Sequence, residues 1–291
     1  MTRPIVVGVD GSTPSLRAVS WAGQEAALRD VPLRIVHAAL RWAYHVPLVP
    51  QPAHWGAEAE AAAQDMLRQA VIHARAGRPR LEVTTEIVDG GASEALVTAA
   101  EEAQLLVVGD RGRGGFAELL LGSVSRYVTA RASCPVAVVR RSHDDYGEVV
   151  VGVTGEPDQD AVLDLAFREA ALRHAALRAV HAWRHPTTRA PGDMQPLVYD
   201  VKDVGEEEAR LLSEALAGWR EKFPDVMLIQ SVVHEHPAKA LIEASADADL
   251  VVIGAHSRTR SPLGLGATAH AVLHHSSAPV IVLGHPRVHR W

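Results

Sequence analysis

The chain has 291 residues, of which 47% are hydrophobic and 22% are charged, which is enough for two ordinary domains that each bury a core. Its formal net charge of −6 provides no basic surface of the kind that binds DNA phosphates or anionic lipid, so we expect neither nucleic acid nor membrane as a partner. No apolar run approaches the ~18 residues that span a bilayer, and the single cysteine, Cys134, can form no internal disulfide, so we expect a cytoplasmic protein.

The first half of the chain alternates short apolar runs with helical patterns. Runs of Val, Ile and Leu without polar alternation predict strands that are buried on both faces, as parallel sheets require. The predicted strands begin at Ile5 and then cover residues 34–39, 81–88, 105–108 and 136–139, with predicted helices at residues 14–29, 57–76, 93–103 and 123–131. Thr13 followed by Pro14 predicts the N-cap and the first residue of the first helix.

This alternation predicts an α/β fold with right-handed crossovers and a doubly wound parallel sheet. In such sheets, ligands bind beyond the carboxyl ends of the strands, at the point where the strand order reverses. Residues that follow the first and fourth strands are therefore the candidates for a binding site.

The second half of the chain repeats the first. Ile5-Val6-Val7-Gly8-Val9-Asp10-Gly11 is matched by Val149-Val150-Val151-Gly152-Val153-Thr154-Gly155. At the same spacing, Glu25-Ala26-Ala27-Leu28-Arg29 recurs letter for letter as Glu169-Ala170-Ala171-Leu172-Arg173. A polar stretch separates the two copies, so we predict two tandem domains, residues 1–145 and residues 146–291.

A glycine-rich loop follows the fourth strand of the first half. It begins Gly109-Asp110-Arg111-Gly112-Arg113 and leads to Gly122-Ser123-Val124-Ser125, which opens a helix, in the pattern G-x2-G-x9-G-S. Glycines let backbone N–H groups turn toward a phosphate chain, and a helix N-terminus offers unpaired donors to the same anion. The serines add hydroxyl donors and the arginines add positive charge. The pattern favours a phosphate-binding loop over the alternative, a plain turn.

Asp10 stands just past the first strand, at the predicted switch point. A carboxylate there can accept hydrogen bonds from ribose hydroxyls; the alternative is a structural cap on the first helix, for which Thr13 is also available. The chain has no G-x-x-x-x-G-K-[ST] loop, and no G-x-G-x-x-G turn follows the first strand, which argues against P-loop and dinucleotide enzymes. Its 16 histidines form no recognised ligand spacing, so we predict no metal site.

Together these residues resemble the universal stress protein family in its tandem-domain form. The resemblance rests on Val7-Gly8-Val9-Asp10-Gly11-Ser12, on His37-Ala38 and on the glycine pattern of residues 109–125, and it covers nearly the whole chain. It implies that each half is a five-stranded parallel sheet in the order 3-2-1-4-5, of the Rossmann-like, adenine nucleotide α-hydrolase-like type. It also implies that the intact motif binds ATP, with or without Mg²⁺.

The same resemblance implies a role for each residue of the first-half motif. Asp10 corresponds to the contact on the ribose and adenine side. The backbone or apolar neighbours of the base correspond to Val9, Ala38 and Val108. The phosphate cradle corresponds to Gly109, Arg111, Gly112, Gly122, Ser123, Val124 and Ser125.

The second half departs from this motif. Thr154 stands in place of Asp10, Ser257 in place of Gly112 and Ala267 in place of Ser123, and the loop is one residue shorter. Loss of the carboxylate removes a charge-assisted hydrogen bond that contributes ~1.5–3 kcal/mol. We predict a weakened or empty second site; the alternative is a different anion site, rebuilt from His256, Arg258 and Arg260.

We expect a non-catalytic, ATP-binding stress-response regulator, with no catalytic residues, whose nucleotide occupancy modulates its conformation or partner binding. The alternatives are a slow ATPase or nucleotide hydrolase, and a nucleotide-free interaction module. In the predicted order the fifth strands, residues 136–139 and 280–283, are edge strands, which favour pairing with another strand. The resemblance implies that they pair antiparallel with each other as an intramolecular pseudo-dimer, with a homodimer as a further assembly. Residues 40–56 and 184–201 predict a loop over the nucleotide or a surface for an unidentified protein partner; the alternative is a packed irregular loop.

Overall fold

The structure is a computed structural model that describes residues 2–39, 55–112, 121–140, 146–156, 159–184, 201–255 and 265–284. The elements of the first half are β1 (Ile5–Gly8), α1 (Thr13–Leu28), β2 (Leu33–Ala39), α2 (Trp55–Arg75), β3 (Val83–Asp89), α3 (Ala92–Ala100), β4 (Leu105–Gly109), α4 (Ser123–Arg131) and β5 (Val136–Val139). Those of the second half are β6 (Glu148–Gly152), α5 (Asp160–Arg173), β7 (Ala176–Trp183), α6 (Val201–Lys222), β8 (Leu228–His234), α7 (Pro237–Ala244), β9 (Leu250–Gly254), α8 (Ala267–His275) and β10 (Val280–Leu283).

The first-half sheet has the predicted order. β1 lies between β2 and β4 and is parallel to both, β3 follows on the outer side of β2, and β5 follows on the outer side of β4. The strand order therefore reverses between β1 and β4. Right-handed crossovers then place α1 and α2 on one face of the sheet and α3 and α4 on the other. Strands β1 and β4 are thus covered on both faces, and all their residues except Gly8 are buried.

The antiparallel pairing expected for the two fifth strands is confirmed. β10 pairs with β5, with Val280 opposite Val138 and Val282 opposite Val136. Contacts divide the chain into a first unit, residues 1–143 with 255–291, and a second unit, residues 144–254. α8 and β10 are therefore described with the first unit.

The second unit repeats the sheet order of the first half. β6 lies between β7 and β9, parallel to both, and β8 follows β7, in the order β8-β7-β6-β9. Phe167 of α5 stacks on Trp219 and Phe223 of α6, with ring centroids 5.6 and 5.3 Å apart. These aromatic contacts hold α5 and α6 together over the buried strands.

No helix within the described residues has the length and apolar character needed to cross a membrane.

Candidate functional site

Two loops of the first unit meet beyond the carboxyl ends of β1 and β4. A Cβ added to Gly112 would stand 2.5 Å from Oδ2 of Asp10, which is closer than any side chain can approach without displacing the carboxylate. The fold therefore brings together Asp10 and the glycine loop, which the sequence predicted to share the switch point.

Asp10 also organises its own turn. Its Oδ1 accepts hydrogen bonds from the backbone N–H of Ser12 at 3.0 Å and from the Ser12 hydroxyl at 2.6 Å, while Gly11 makes the turn with φ of 78°. The two carboxylate oxygens thus have different surroundings. Oδ1 holds the turn, and Oδ2 faces the glycine loop.

The N-cap of α1 is Ser12, and the prediction of Thr13 was wrong. The Ser12 hydroxyl accepts from the N–H of Ser15 at 3.3 Å, and the Ser12 carbonyl accepts the first helical bond, from Leu16, at 3.0 Å. An N-cap residue precedes the helix, and its carbonyl accepts the hydrogen bond from the residue four positions later. Thr13 is already a helical residue, so it cannot be the N-cap. Pro14 is the second residue of the helix and not the first, because the helix begins one residue earlier than predicted. Because Ser12 provides the cap, Asp10 supports the helix start indirectly and does not cap it.

The N-terminus of α4 forms the second side of the site. Gly122 is its N-cap, has no side chain to cap the helix, and donates its N–H to the Asp110 carbonyl at 2.7 Å. The N–H groups of Ser123, Val124 and Ser125 therefore have neither an intrahelical acceptor nor a capping side chain. A Cβ on Gly122 would stand 3.4 Å from the Cα of Arg111, so the helix end lies directly against the glycine loop. Such a helix end binds anions.

The Ser125 hydroxyl has a different task from its N–H group. It is buried and donates a 2.7 Å hydrogen bond to the carbonyl of Gly109, at the end of β4. Gly109 is itself confined, because a Cβ there would lie 2.8 Å from the backbone of Pro14 in α1. What Ser125 can present at the helix end is therefore its backbone N–H, while its hydroxyl fixes α4 to β4. Ser123 at the start of the helix is exposed.

The apolar residues assigned to the base lie at the ends of three adjacent strands. Val9 and Val108 are buried, and Ala38 near the end of β2 is half-buried. The backbone N–H of Val9 bonds to the carbonyl of Val36, and its carbonyl accepts a 2.9 Å bond from Nδ1 of His37. Because a carbonyl only accepts, this contact places the proton on Nδ1. His37 was absent from the predicted site residues, although its recurrence as His181 was a signal in the sequence.

In the second unit, the residues that correspond to Asp10 and His37 form hydrogen bonds with other side chains of the same unit. The backbone N–H and the hydroxyl of Thr154 both donate to Oε1 of Gln159, at 2.8 and 3.2 Å. His181 bonds through Nδ1 to the Val153 carbonyl, as His37 does to Val9, but its Nε2 lies 2.8 Å from Oε2 of Glu208 on α6. The turn is tight here as well, because Gly155 lies against Leu211 of α6.

The α8 helix keeps the backbone pattern of α4. Gly266 is its N-cap, without a side-chain cap, and donates its N–H to the Ala255 carbonyl at 2.7 Å. Ala267 then opens the helix, in the position that Ser123 holds in α4. Several residues named in the sequence analysis lie outside the described residues. They are Arg113 of the first loop, Ser257, which replaces Gly112, and the residues of the alternative anion site, His256, Arg258 and Arg260. Most of the two loops expected after the second strands, at residues 40–54 and 185–200, is also outside them.

Within the described parts of the chain, no group of three or more His, Cys, Asp or Glu residues is placed to hold a metal ion. The rings of His270 and His274 on α8 are 4.3 Å apart. Partial burial, followed by the nearby charges of His270 and Arg140, lowers the pKa of His274. The ring of His274 therefore favours its neutral form.

Comparison with known proteins adds an independent result. The model of the universal stress protein family matches residues 1–140 and again residues 145–284. A universal stress protein of Mycobacterium tuberculosis (strain ATCC 25618 / H37Rv) is 38% identical over 291 residues, covering 96% of both chains, and one of Mycolicibacterium smegmatis is 35% identical over 287 residues, again covering 96% of both. The crystal structure of a universal stress protein from Archaeoglobus fulgidus aligns with a TM-score of 0.70 over 98% of this chain and 99% of its own, at 17% identity, which supports the same fold.

Proposed function

Because the chain belongs to the universal stress protein family, with two tandem domains of that family, we propose that its first half binds ATP as a regulatory ligand. Nucleotide occupancy then modulates the conformation of the protein or its binding to a partner. One observation carries the proposal: Oδ2 of Asp10 faces Gly112 at the same edge of the sheet where α4 presents an uncapped N-terminus.

The residues of this edge fit a nucleotide. The carboxylate of Asp10 would accept hydrogen bonds from ribose hydroxyls, and Val9, Ala38 and Val108 would lie beside the base. The N–H groups at the start of α4 would donate hydrogen bonds to the phosphates, and Arg111 would add positive charge. Gly109, Gly112 and Gly122 would let the backbone approach the phosphates closely. The negative charge of the ATP polyphosphate would match these donors. ATP would bind with or without Mg²⁺.

The structure supports a regulator over an enzyme. Phosphoryl transfer to water needs a group that positions and activates the water. The sequence of the loop contains two carboxylates, Asp110 and Glu118. The side chain of Asp110 is almost completely buried and lies among arginines, and Glu118 is outside the described residues. One oxygen of Asp10 is already bonded to Ser12. A slow ATPase is the alternative function.

We propose further that the two halves differ in affinity for nucleotide. Thr154 supplies no carboxylate, and both its donors go to Gln159. His181 is engaged by Glu208. The first half therefore provides the tight site, and the second half binds nucleotide weakly or not at all.

The assembly and the location follow from the same reasoning. The β5–β10 pairing supports an intramolecular pseudo-dimer of the two halves, and a homodimer is a further possible assembly. We place the protein in the cytoplasm, where ATP is available, with a protein partner still to be identified.

Mass spectrometry of ligand released from gently purified protein tests the proposal most directly. We expect ATP, at about one molecule per chain once the protein is quantified. Incubation with Mg²⁺ should leave the ATP intact over many minutes. Turnover approaching ~1 per second, the low end of ordinary enzymes, would replace the regulator with an ATPase. Protein that neither carries nor binds ATP would support the nucleotide-free interaction module.

A further inference from the structure

Asp110 lies at the carboxyl end of β4, next to the proposed phosphate cradle, and its backbone is held on both sides. Its N–H donates to the Val139 carbonyl at 3.0 Å, and its carbonyl accepts from the N–H of Gly122 at 2.7 Å. Its side chain is 7% exposed. The carboxylate therefore has a defined position relative to the start of α4.

Three guanidinium groups from different parts of the first unit surround this carboxylate. Arg17 of α1 comes within 3.9 Å of Oδ1, while Arg111 and Arg140 come within 3.5 and 3.8 Å of Oδ2. These separations exceed hydrogen-bond length, and Oδ1 has no hydrogen-bond partner within the described residues. The carboxylate is thus shared among three cations, which it attracts by charge.

The contact with Arg111 has a direction. It runs through Nε, the guanidinium nitrogen nearest the backbone, and the terminal nitrogens carry most of the N–H groups. The side chain of Arg111 is 43% exposed, whereas that of Arg140 is 14% exposed. Arg111 therefore lies against the carboxylate through the nitrogen nearest its backbone, and its side chain stays partly exposed.

The second copy of the repeat lacks these charges. Ala161, Ala255 and Gly284 stand where the first copy has Arg17, Asp110 and Arg140. Ala255 is buried, as Asp110 is. This is also the copy that lacks Asp10 and Gly112, so within this chain the charged cluster accompanies the intact motif.

We infer that Asp110 is a positioning residue for nucleotide binding: it holds Arg111 over the cradle, where the guanidinium meets the polyphosphate, while Arg17 and Arg140 balance its charge. The inference rests on the proposed ATP site. Two consequences follow. The effect of Asp110 is specific to ligands that carry phosphates, and it passes through Arg111.

Calorimetric titration of the nucleotide-free, full-length protein with ATP and with adenosine tests both consequences. We expect Asp110→Asn to weaken ATP binding about fivefold while leaving adenosine binding within about twofold, and the penalty of Arg111→Gln to shrink when Asp110 is already replaced. Asp164→Asn is a matched control, because Asp164 lies between Arg168 and Lys222 in the second unit and should change neither affinity.

Three results would overturn the inference. ATP affinity that is unchanged or raised in Asp110→Asn would mean that the carboxylate does nothing for the phosphates or opposes them. Equal losses for ATP and adenosine would indicate a purely structural role. An Arg111→Gln penalty of the same size in both backgrounds would break the link between the two residues.

If Asp110→Asn does not fold, Arg140→Gln takes its place. Loss of that cation leaves the negative charge of Asp110 less balanced beside the cradle and should weaken the binding of ATP but not of adenosine. Unchanged ATP affinity would overturn the inference. The wild-type titration is read separately. No binding of ATP by the wild type would overturn the proposed function together with the inference, whereas wild-type binding with unaffected variants overturns the inference alone.

Discussion

Asp10 and Gly112 lie on different loops of the first half, yet the missing Cβ of Gly112 would stand 2.5 Å from Oδ2 of Asp10. The other oxygen of the same carboxylate bonds to the backbone and hydroxyl of Ser12. One side chain thus serves both the start of α1 and the proposed ligand site. Substitutions that remove one of these two roles, or that push the two loops apart, therefore test the site.

Asp10→Ala should weaken ATP binding about tenfold, or ~1.4 kcal/mol, and lower the free energy of unfolding by ~1 kcal/mol, because both the ligand contact and the bonds to Ser12 are lost. Asp10→Asn keeps an acceptor for Ser12 but loses the charge. It should retain most of the stability and still bind ATP weakly. Calorimetry and urea denaturation measure the two effects, and an unchanged ATP titration in folded Asp10→Ala would leave Asp10 as a turn residue only.

Gly112→Ala should reduce ATP affinity with little effect on folding, because the new methyl group displaces Oδ2 of Asp10. Gly218→Ala on α6 is the matched control, since a Cβ there meets no atom within 4 Å. The control should bind ATP normally and be equally or more stable. Equal ATP affinity in the two variants would contradict the placement of the ribose and phosphates between these loops.

Gly122→Glu should abolish the tight site, because it places bulk and negative charge at the N-terminus of α4, where the phosphates are expected. Gly122→Ala adds a small side chain without a charge, so its comparison with Gly122→Glu distinguishes the effect of charge from that of bulk. A Cβ at this position has 3.4 Å of clearance from its nearest neighbours, so this variant should bind ATP only slightly more weakly. Two equal sites in the wild-type protein, or full binding by Gly122→Glu, would contradict the assignment of the tight site to the first half.

Ser125→Ala should lower the free energy of unfolding by ~1 kcal/mol, the net contribution of a buried hydrogen bond, because the Gly109 carbonyl loses its donor. ATP affinity should fall much less, since the backbone N–H of residue 125 is kept. Urea denaturation and ATP titration of the same sample compare the two. A large loss of ATP affinity without a loss of unfolding free energy would instead indicate that the Ser125 hydroxyl contacts a phosphate.

The thiol of Cys134 should react very slowly in the native protein. Burial raises its pKa from 9.0 to about 11, so at pH 8 the thiolate fraction falls about 100-fold, and access is restricted as well. Alkylation by iodoacetamide, followed by mass spectrometry, should be at least that much slower in buffer than in denaturant. Rapid alkylation under native conditions would contradict the buried position of the side chain.

The fold and the location of the site could be predicted from local patterns. Apolar runs and helical periodicity predicted the strands and helices, and their alternation predicted a doubly wound parallel sheet. The order that β1 to β5 adopt in that sheet was implied by the family resemblance. Because parallel strands end at one edge of a sheet, the same reasoning placed Asp10 near the glycine loop before any distance was known. Composition, repeat and turn chemistry are properties of neighbouring residues, and the sequence displays them directly.

The direction of individual side chains depended on residues far apart in the chain. The Ser125 hydroxyl bonds to the carbonyl of Gly109, 16 residues earlier in the chain, because the fold sets α4 against β4. Arg17, Asp110 and Arg140 come from a helix, a loop and the residue after a strand, and nothing local in the sequence marks them as neighbours. The sequence by itself determined the elements, their order and the edge that carries the site, while only tertiary packing decided which donor meets which acceptor there.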